Sequence, residues 1–255
     1  MEAVAEATPS VVFLDTCAIH CARLYLDTAK QHNLQLVPED TGPVDARLRE
    51  LAAGKTRTFE NLKEGRKIVA YMRKQCDDGG QVEYAPIVYL EMACGLLRGK
   101  AIVNAAEEGI PHRMWSRMEE KEIRARLCAK EYKDVQTCTA GIEAQFMEAG
   151  IAVSETDSKT AYQAWAFAKE VLGRLFFDVG DCAVFASATV ALADELVTTD
   201  SSLRDTIGWI RNPGQAPPDD VDYYTAVQAG LLDSLHDITG FPRDELAFPS
   251  AEKKW

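Results

Sequence analysis

The apolar positions of the chain repeat with two different periods. Residues 11–14, VVFL, form an unbroken apolar run, the mark of a short strand covered on both faces as in a parallel sheet. The run stops on Asp15. In the following TCAIHCARLYLDTAKQHN, Cys17, Cys21, Leu24 and Thr28 recur at three- and four-residue steps, which predicts a helix. After a loop rich in proline, glycine and acids (VPEDTGPVD), two more helical patterns cover 44–53 and 58–75, and CDDGG ends the second. VEYAPIVYLEM restores strand character through Tyr84, Ile87 and Val88, so Glu91 is expected where that strand passes into a helix. The pattern over 111–148 is helical and heavily charged. A third strand is expected at 151–153, followed by the helix TAYQAWAFAKEVLGRLFF, the small-residue helix in DVGDCAVFASATVALADE and the strand ELVTTD. RNPGQAPPDD then reads as a turn cluster, and the remainder as a helix plus tail packed on the body. Strands alternating with helices predict an α/β sandwich with a mainly parallel sheet.

Charge and composition narrow this picture. With 255 residues, 47% hydrophobic and 27% charged, the chain can bury a substantial core. The longest apolar stretch, 183–193, is too short to cross a bilayer, so no membrane partner is expected. The opening MEAVAEATPS is acidic and does not read as a secretory signal. Seven cysteines, an odd number without a CxxC pair, suit a reducing cytoplasm. The net charge of −12 argues against non-specific nucleic-acid binding, which draws on a basic excess.

Four acids share one placement. Asp15 follows VVFL, Glu91 follows APIVYL, Asp181 precedes CAVFASATV, and Asp200 follows ELVTT. Parallel sheets build sites outside the carboxyl ends of their strands, where these four positions are predicted to meet. Converging carboxylates raise one another's pKa unless a cation sits among them. An oxygen-only ligand set suits Mg²⁺ or Mn²⁺, and such ions serve phosphodiester hydrolysis. The constellation therefore points to a metal-dependent nuclease.

The segments VVFLDTC, IVYLEMACGL and GDCAVFASATVALADELVTTDSSL together resemble the PIN-domain nucleases, a family that includes the VapC-like toxins. The resemblance covers about residues 10–30, 82–105 and 150–208 and leaves out 31–80, 106–149 and the tail. It implies a three-layer α/β/α sandwich in 1–210 with helical insertions at about 31–80 and 106–149, and an extension over 211–255. It also implies an endoribonuclease, RNA ahead of DNA as substrate, one or two Mg²⁺ or Mn²⁺ ions, and in toxin members an inhibitory antitoxin-like protein. By it, Asp15, Glu91, Asp181 and Asp200 are the catalytic, metal-binding acids. Thr199, Ser201 and Asp178 are the candidates to support them, with Asp181 matching the motif better than Asp178.

Plainer readings compete at each position. Asp15 suits a helix N-cap, and Glu91 and Asp181 suit the first turn of any helix. Asp194, Glu195 and Asp205 read as solvated charges, Cys17 and Cys21 as small core residues, and the four histidines as too dispersed for zinc. In PHRMWSRMEEKEIRARLCAKEYK, Arg113, Arg117, Lys121 and Arg124 step by four, four and three, which predicts a basic stripe on one helix, with Trp115 and Tyr132 available to stack on bases. Screening limits distant acids to roughly 8 Å at physiological salt, so such a stripe can bind phosphates in an acidic chain. A helix laced with its own ion pairs is the competing expectation. FLDT and DVGD also superficially match a haloacid-dehalogenase-like phosphatase, but Cys17 stands where that chemistry needs a second acid. A PIN-like module that binds without catalysis is the remaining alternative.

Overall fold

The computed structural model describes residues 10–115, 117–175 and 177–253. The opening segment 1–9, read above for targeting, lies outside them. The first half contains β1 (Val11–Leu14), α1 (Thr16–His32), α2 (Gly42–Leu51), α3 (Thr56–Asp77), β2 (Gln81–Tyr84) and α4 (Pro86–Glu107). Four shorter helices follow: α5 (His112–Trp115), α6 (Glu120–Ala125), α7 (Ala129–Ala140) and α8 (Ile142–Glu148). The rest is β3 (Val153–Glu155), α9 (Ser158–Leu172), α10 (Val179–Val190), β4 (Glu195–Val197), α11 (Ser201–Arg211) and α12 (Val221–Thr239). The fold is α/β and mainly helical.

All four strands are parallel, in the order β3-β2-β1-β4. Leu14 sits opposite both Tyr84 and Val197 in register, so β1, β2 and β4 end on one edge of the sheet. β1 is central, and Val12, Phe13 and Leu14 are fully buried, as its unbroken apolar run requires. From β1 the chain steps to β2 and β3 on one side, then returns to place β4 on the other side of β1. The switch point therefore falls between β1 and β4, where an open parallel sheet leaves a crevice.

Close packing of α1 on α3 depends on Gly65, where a Cβ would stand 2.0 Å from the Cys21 carbonyl oxygen. The tail after α12 returns to the sheet. Leu196 N donates to the Ser250 carbonyl at 2.7 Å, Ser250 N donates to the Asp194 carbonyl at 2.9 Å, and Phe248 stacks on Phe185 of α10.

Three expected boundaries move. β2 ends at Tyr84 because Pro86 starts α4, its fixed φ suiting the first helical position, so Ile87 and Val88 are helical. The third strand begins two residues late. Gly150 adopts φ +76 and Ile151 N donates to the Phe146 carbonyl, a C-terminal helix cap that uses the residues expected to pair. The basic stripe is the largest correction. Arg113 lies on α5, Arg117 in the turn after it, and Lys121 and Arg124 on α6, so they share no helix face. The chain turns at Glu119, whose extended backbone starts α6 with a capping box closed by Glu122.

Candidate active site at the switch point

A cleft of about 770 Å³ opens at this crevice, and Asp15, Glu91, Asp181 and Asp200 all line it. Three of the four acids stand at or in the first turn of a helix. Asp15 is the N-cap of α1, its Oδ1 accepting from Thr16 N at 2.6 Å, and the residue is buried. Asp200 caps α11 through Oδ1, which accepts from Ser202 N at 2.7 Å and Leu203 N at 3.1 Å. Asp178 caps α10, accepting from Asp181 N at 2.9 Å, so Asp181 stands in the first turn of that helix rather than opening it. Glu91 lies in the second turn of α4 and not at a strand end.

Several groups hold these carboxylates in place. Asp15 Oδ2 accepts from the buried Thr198 hydroxyl at 2.7 Å and from the Cys17 thiol at 2.7 Å. The Thr198 oxygen also accepts from Asp200 N at 3.0 Å, tying the first and last acids together. Glu91 Oε2 accepts from the Thr16 hydroxyl. Its Oε1 rests against Gly180, where a Cβ would lie only 1.5 Å away. Glycine at 180 is what lets Glu91 approach the start of α10.

The acids perturb one another. Burial, then the charges of Asp178, Asp15, Asp200 and Glu91, push the Asp181 carboxyl up to about 7. Glu91 is raised by burial and then by Asp15 and Asp178, against the opposing Thr16 hydrogen bond. Asp15 is raised by burial and slightly by Asp200, against its hydrogen bonds from Cys17, Thr198 and Thr16. Burial and the neighbouring Asp15 charge push the Cys17 thiol up to about 12, so it stays protonated and donates.

Among the described residues, no group of three or more His, Cys, Asp or Glu side chains is already gathered into a ligating cluster. The donor chemistry nevertheless fits a hard divalent cation. The four groups lining the cleft are all carboxylates, and a cation among them would offset the burial and the mutual repulsion that together hold a proton on Asp181 near neutrality.

The supporting residues differ from those expected. The hydroxyls in contact with the acids belong to Thr198, on Asp15, and Thr16, on Glu91. Thr199 contributes its backbone N, which donates to Cys17 Sγ at 3.1 Å, and Ser201 is exposed in the first turn of α11. Asp178 does act on the site, through its cap and its charge. Cys17 is half-buried against Asp15, whereas Cys21 is buried. Sequence reasoning also missed Thr16, Gly180, His20 and Lys100. His20 follows Thr16 by one helical turn and lines the cleft, as does Lys100, its cationic group. Burial, then the Arg23 charge, lowers the His20 pKa. Met92, Gly95, Leu96, Gly99 and Val103, at helical spacing after Glu91, form an apolar wall of the cleft. Of the expected stripe, Lys121 pairs with Glu119 at 2.9 Å and Arg124 pairs with Glu120, both on the surface.

Fold and site together define an α/β protein with a carboxylate-lined cleft at the switch point of a parallel sheet. Compared with protein-family models, curated proteins and solved structures, the chain matches none.

Proposed function

We propose that the chain is a metal-dependent endoribonuclease of the PIN-like class, hydrolysing RNA phosphodiester bonds with Mg²⁺ or Mn²⁺. The observation that carries this reading is the meeting of Asp15, Glu91, Asp181 and Asp200 in one cleft, with the Asp181 carboxyl held up to about 7. The finer fold assignment, a three-layer α/β/α sandwich, draws on the strand order. Right-handed crossovers that run in opposite directions from β1 put their helices on opposite faces of the sheet.

A bound Mg²⁺ or Mn²⁺ supplies charge stabilisation for the phosphoryl oxygens and acidifies a water for attack. The chain supplies the rest. Asp15, Glu91, Asp181 and Asp200 offer the oxygens that hold the ion. Thr198 and Cys17 fix Asp15, and Thr16 and Gly180 fix Glu91, so that little reorganisation accompanies reaction. Without an ion Asp181 titrates near neutrality, so binding a cation would displace its proton and leave the carboxylate free to ligate. Lys100 lines the same cleft and would offer a positive charge to a substrate phosphate. RNA is placed ahead of DNA by resemblance, as is an inhibitory antitoxin-like partner, whereas a cytoplasmic setting draws on the odd number of scattered cysteines. No helix among the described residues is long and apolar enough to cross a membrane.

The test is cleavage of a labelled oligoribonucleotide with Mn²⁺ or Mg²⁺ by the wild type and by Asp181→Asn and Asp200→Asn. Activity confined to the wild type is the expected result, and undiminished activity in both variants would falsify the reading. A second reading, a PIN-like module that binds without catalysis, draws on the lack of a pre-gathered three-donor cluster among the described residues. Calorimetric titration separates the two, since the catalytic reading requires divalent-ion binding that Asp15→Asn weakens.

A further inference from the structure

Helix α9 has two faces of opposite character. Ala164, Phe167, Ala168 and Val171 are buried in the core. The opposite arc presents Lys159, Tyr162, Trp165, Lys169 and Leu172 at successive steps of three, three, four and three. Tyr162 is 77% exposed, Trp165 57% and Leu172 51%, an open display of large side chains that marks an interaction surface rather than a core.

No acid shares this arc. Glu170 turns aside to Arg174 at 3.2 Å and to the Ser234 hydroxyl at 3.4 Å. Asp157, the N-cap, accepts from the amides of Lys159 and Thr160 and from the Thr160 hydroxyl. Neither Lys159 nor Lys169 forms an ion pair with a described residue. In a chain of net charge −12, a strip of cations and aromatics free of acids is the exception.

We infer that this face of α9 is a stacking platform for single-stranded nucleic acid, with Tyr162 and Trp165 holding bases and Lys159 and Lys169 the flanking phosphates. Bases stack on exposed aromatics regardless of sequence, and lysines between them track the backbone. A second copy of the chain complements the face less well. A twofold contact would bring like-charged lysines from both copies into one partly apolar interface. α9 packs along α10, whose first turn carries Asp181, so the platform and that acid belong to neighbouring helices. The inference rests on the nuclease reading for its choice of RNA over other single strands. It also supplies the local positive surface that the broken stripe at Arg113, Arg117, Lys121 and Arg124 does not.

The probe is a fluorescent uridylate oligoribonucleotide about 15 nucleotides long, within the site sizes of single-strand binders. Anisotropy is followed in chelator, so that nothing is cleaved. The single strand is expected to bind more tightly than a duplex of equal length. Trp165→Ala and Tyr162→Ala are each expected to weaken it about fivefold or more, as loss of one stacked base implies, while Trp165→Phe retains most of the affinity. Replacing Lys159 and Lys169 by Ala is expected to flatten the dependence of affinity on salt. All these positions are exposed, and circular dichroism checks that the variants fold. Unchanged affinity in both aromatic variants overturns the inference, as does a wild type that binds no oligonucleotide. It is also overturned if Trp165→Ala turns a dimer into a monomer in sedimentation without altering RNA affinity. Failure here with divalent-ion binding intact leaves the nuclease reading standing, whereas loss of both removes that reading too.

Discussion

Replacing Asp181 by Asn is expected to stabilise the metal-free protein above neutral pH. The wild-type carboxyl has a folded-state pKa of about 7 against 3.8 as its ordinary value. The native state therefore holds this proton more tightly than the unfolded chain, and stability falls as pH rises from near 4 to near 7. At about 1.4 kcal/mol per unit the full shift corresponds to roughly 4 kcal/mol. Asp181 is only partly buried, and solvent screening reduces that to about 1–2 kcal/mol. Asn also gives up the attraction between a charged carboxylate and the α10 N-terminus, about 0.3–1 kcal/mol. The variant should thus be roughly 1 kcal/mol more stable than the wild type at pH 8, with no advantage at pH 4. Urea unfolding in chelator at both pH values measures the difference directly. Saturating Mg²⁺ or Mn²⁺ should reverse the order at pH 8, because the ion binds the native wild type and stabilises it by mass action. A variant no more stable than the wild type at pH 8 in chelator refutes the electrostatic account of the cleft.

Other perturbations address the supports of the site and the tail. Gly180→Ala puts a Cβ where Glu91 Oε1 now lies, and should lower divalent-ion affinity about tenfold or more by calorimetry, while circular dichroism is unchanged. Thr198→Val leaves Asp200 N without its partner and Asp15 Oδ2 with the Cys17 thiol alone, and should cost about 1–3 kcal/mol in chemical denaturation, whereas Thr198→Ser should cost less. Phe248→Ala removes a buried ring stacked on Phe185 of α10 and should destabilise the fold by about 3–5 kcal/mol. An equal or smaller loss in truncation after Leu246 than in a surface control would show that the tail does not support the sheet.

The strands were legible because β1 is apolar without interruption, and the long helices because their buried positions repeat at helical steps. The misplaced boundaries have a common cause: local chemistry overrode periodicity. Pro86 converts an apolar run into helix, Gly150 diverts Ile151 into a helix cap, and Glu119 breaks a basic pattern that looked continuous. Gly180 and Thr198 carried no periodic signal, since their importance lies in contacts with residues far along the chain.

The sequence posed the cap and the site as rival explanations of the same acids, yet the two depend on each other. In a parallel sheet a strand's carboxyl end leads into a helix whose first amides need acceptors, and aspartate meets that need with one oxygen. Asp200 uses Oδ1 for Ser202 and Leu203, while its Oδ2 makes no hydrogen bond to a described residue. Asp15 uses Oδ1 for Thr16 and turns Oδ2 to Thr198 and Cys17 at the cleft. Each cap fixes the rotamer of the acid, and strand order fixes where the acids meet. Capping energy therefore helps to hold like charges together, at the cost of the proton kept on Asp181. The two roles separate when the cap is kept and the carboxylate removed, so Asp200→Ser, which preserves a capping oxygen, should fold like the wild type yet bind divalent ions more weakly by calorimetry. Equal ion affinity in that variant would separate the cap from the site and leave Asp200 a structural residue alone.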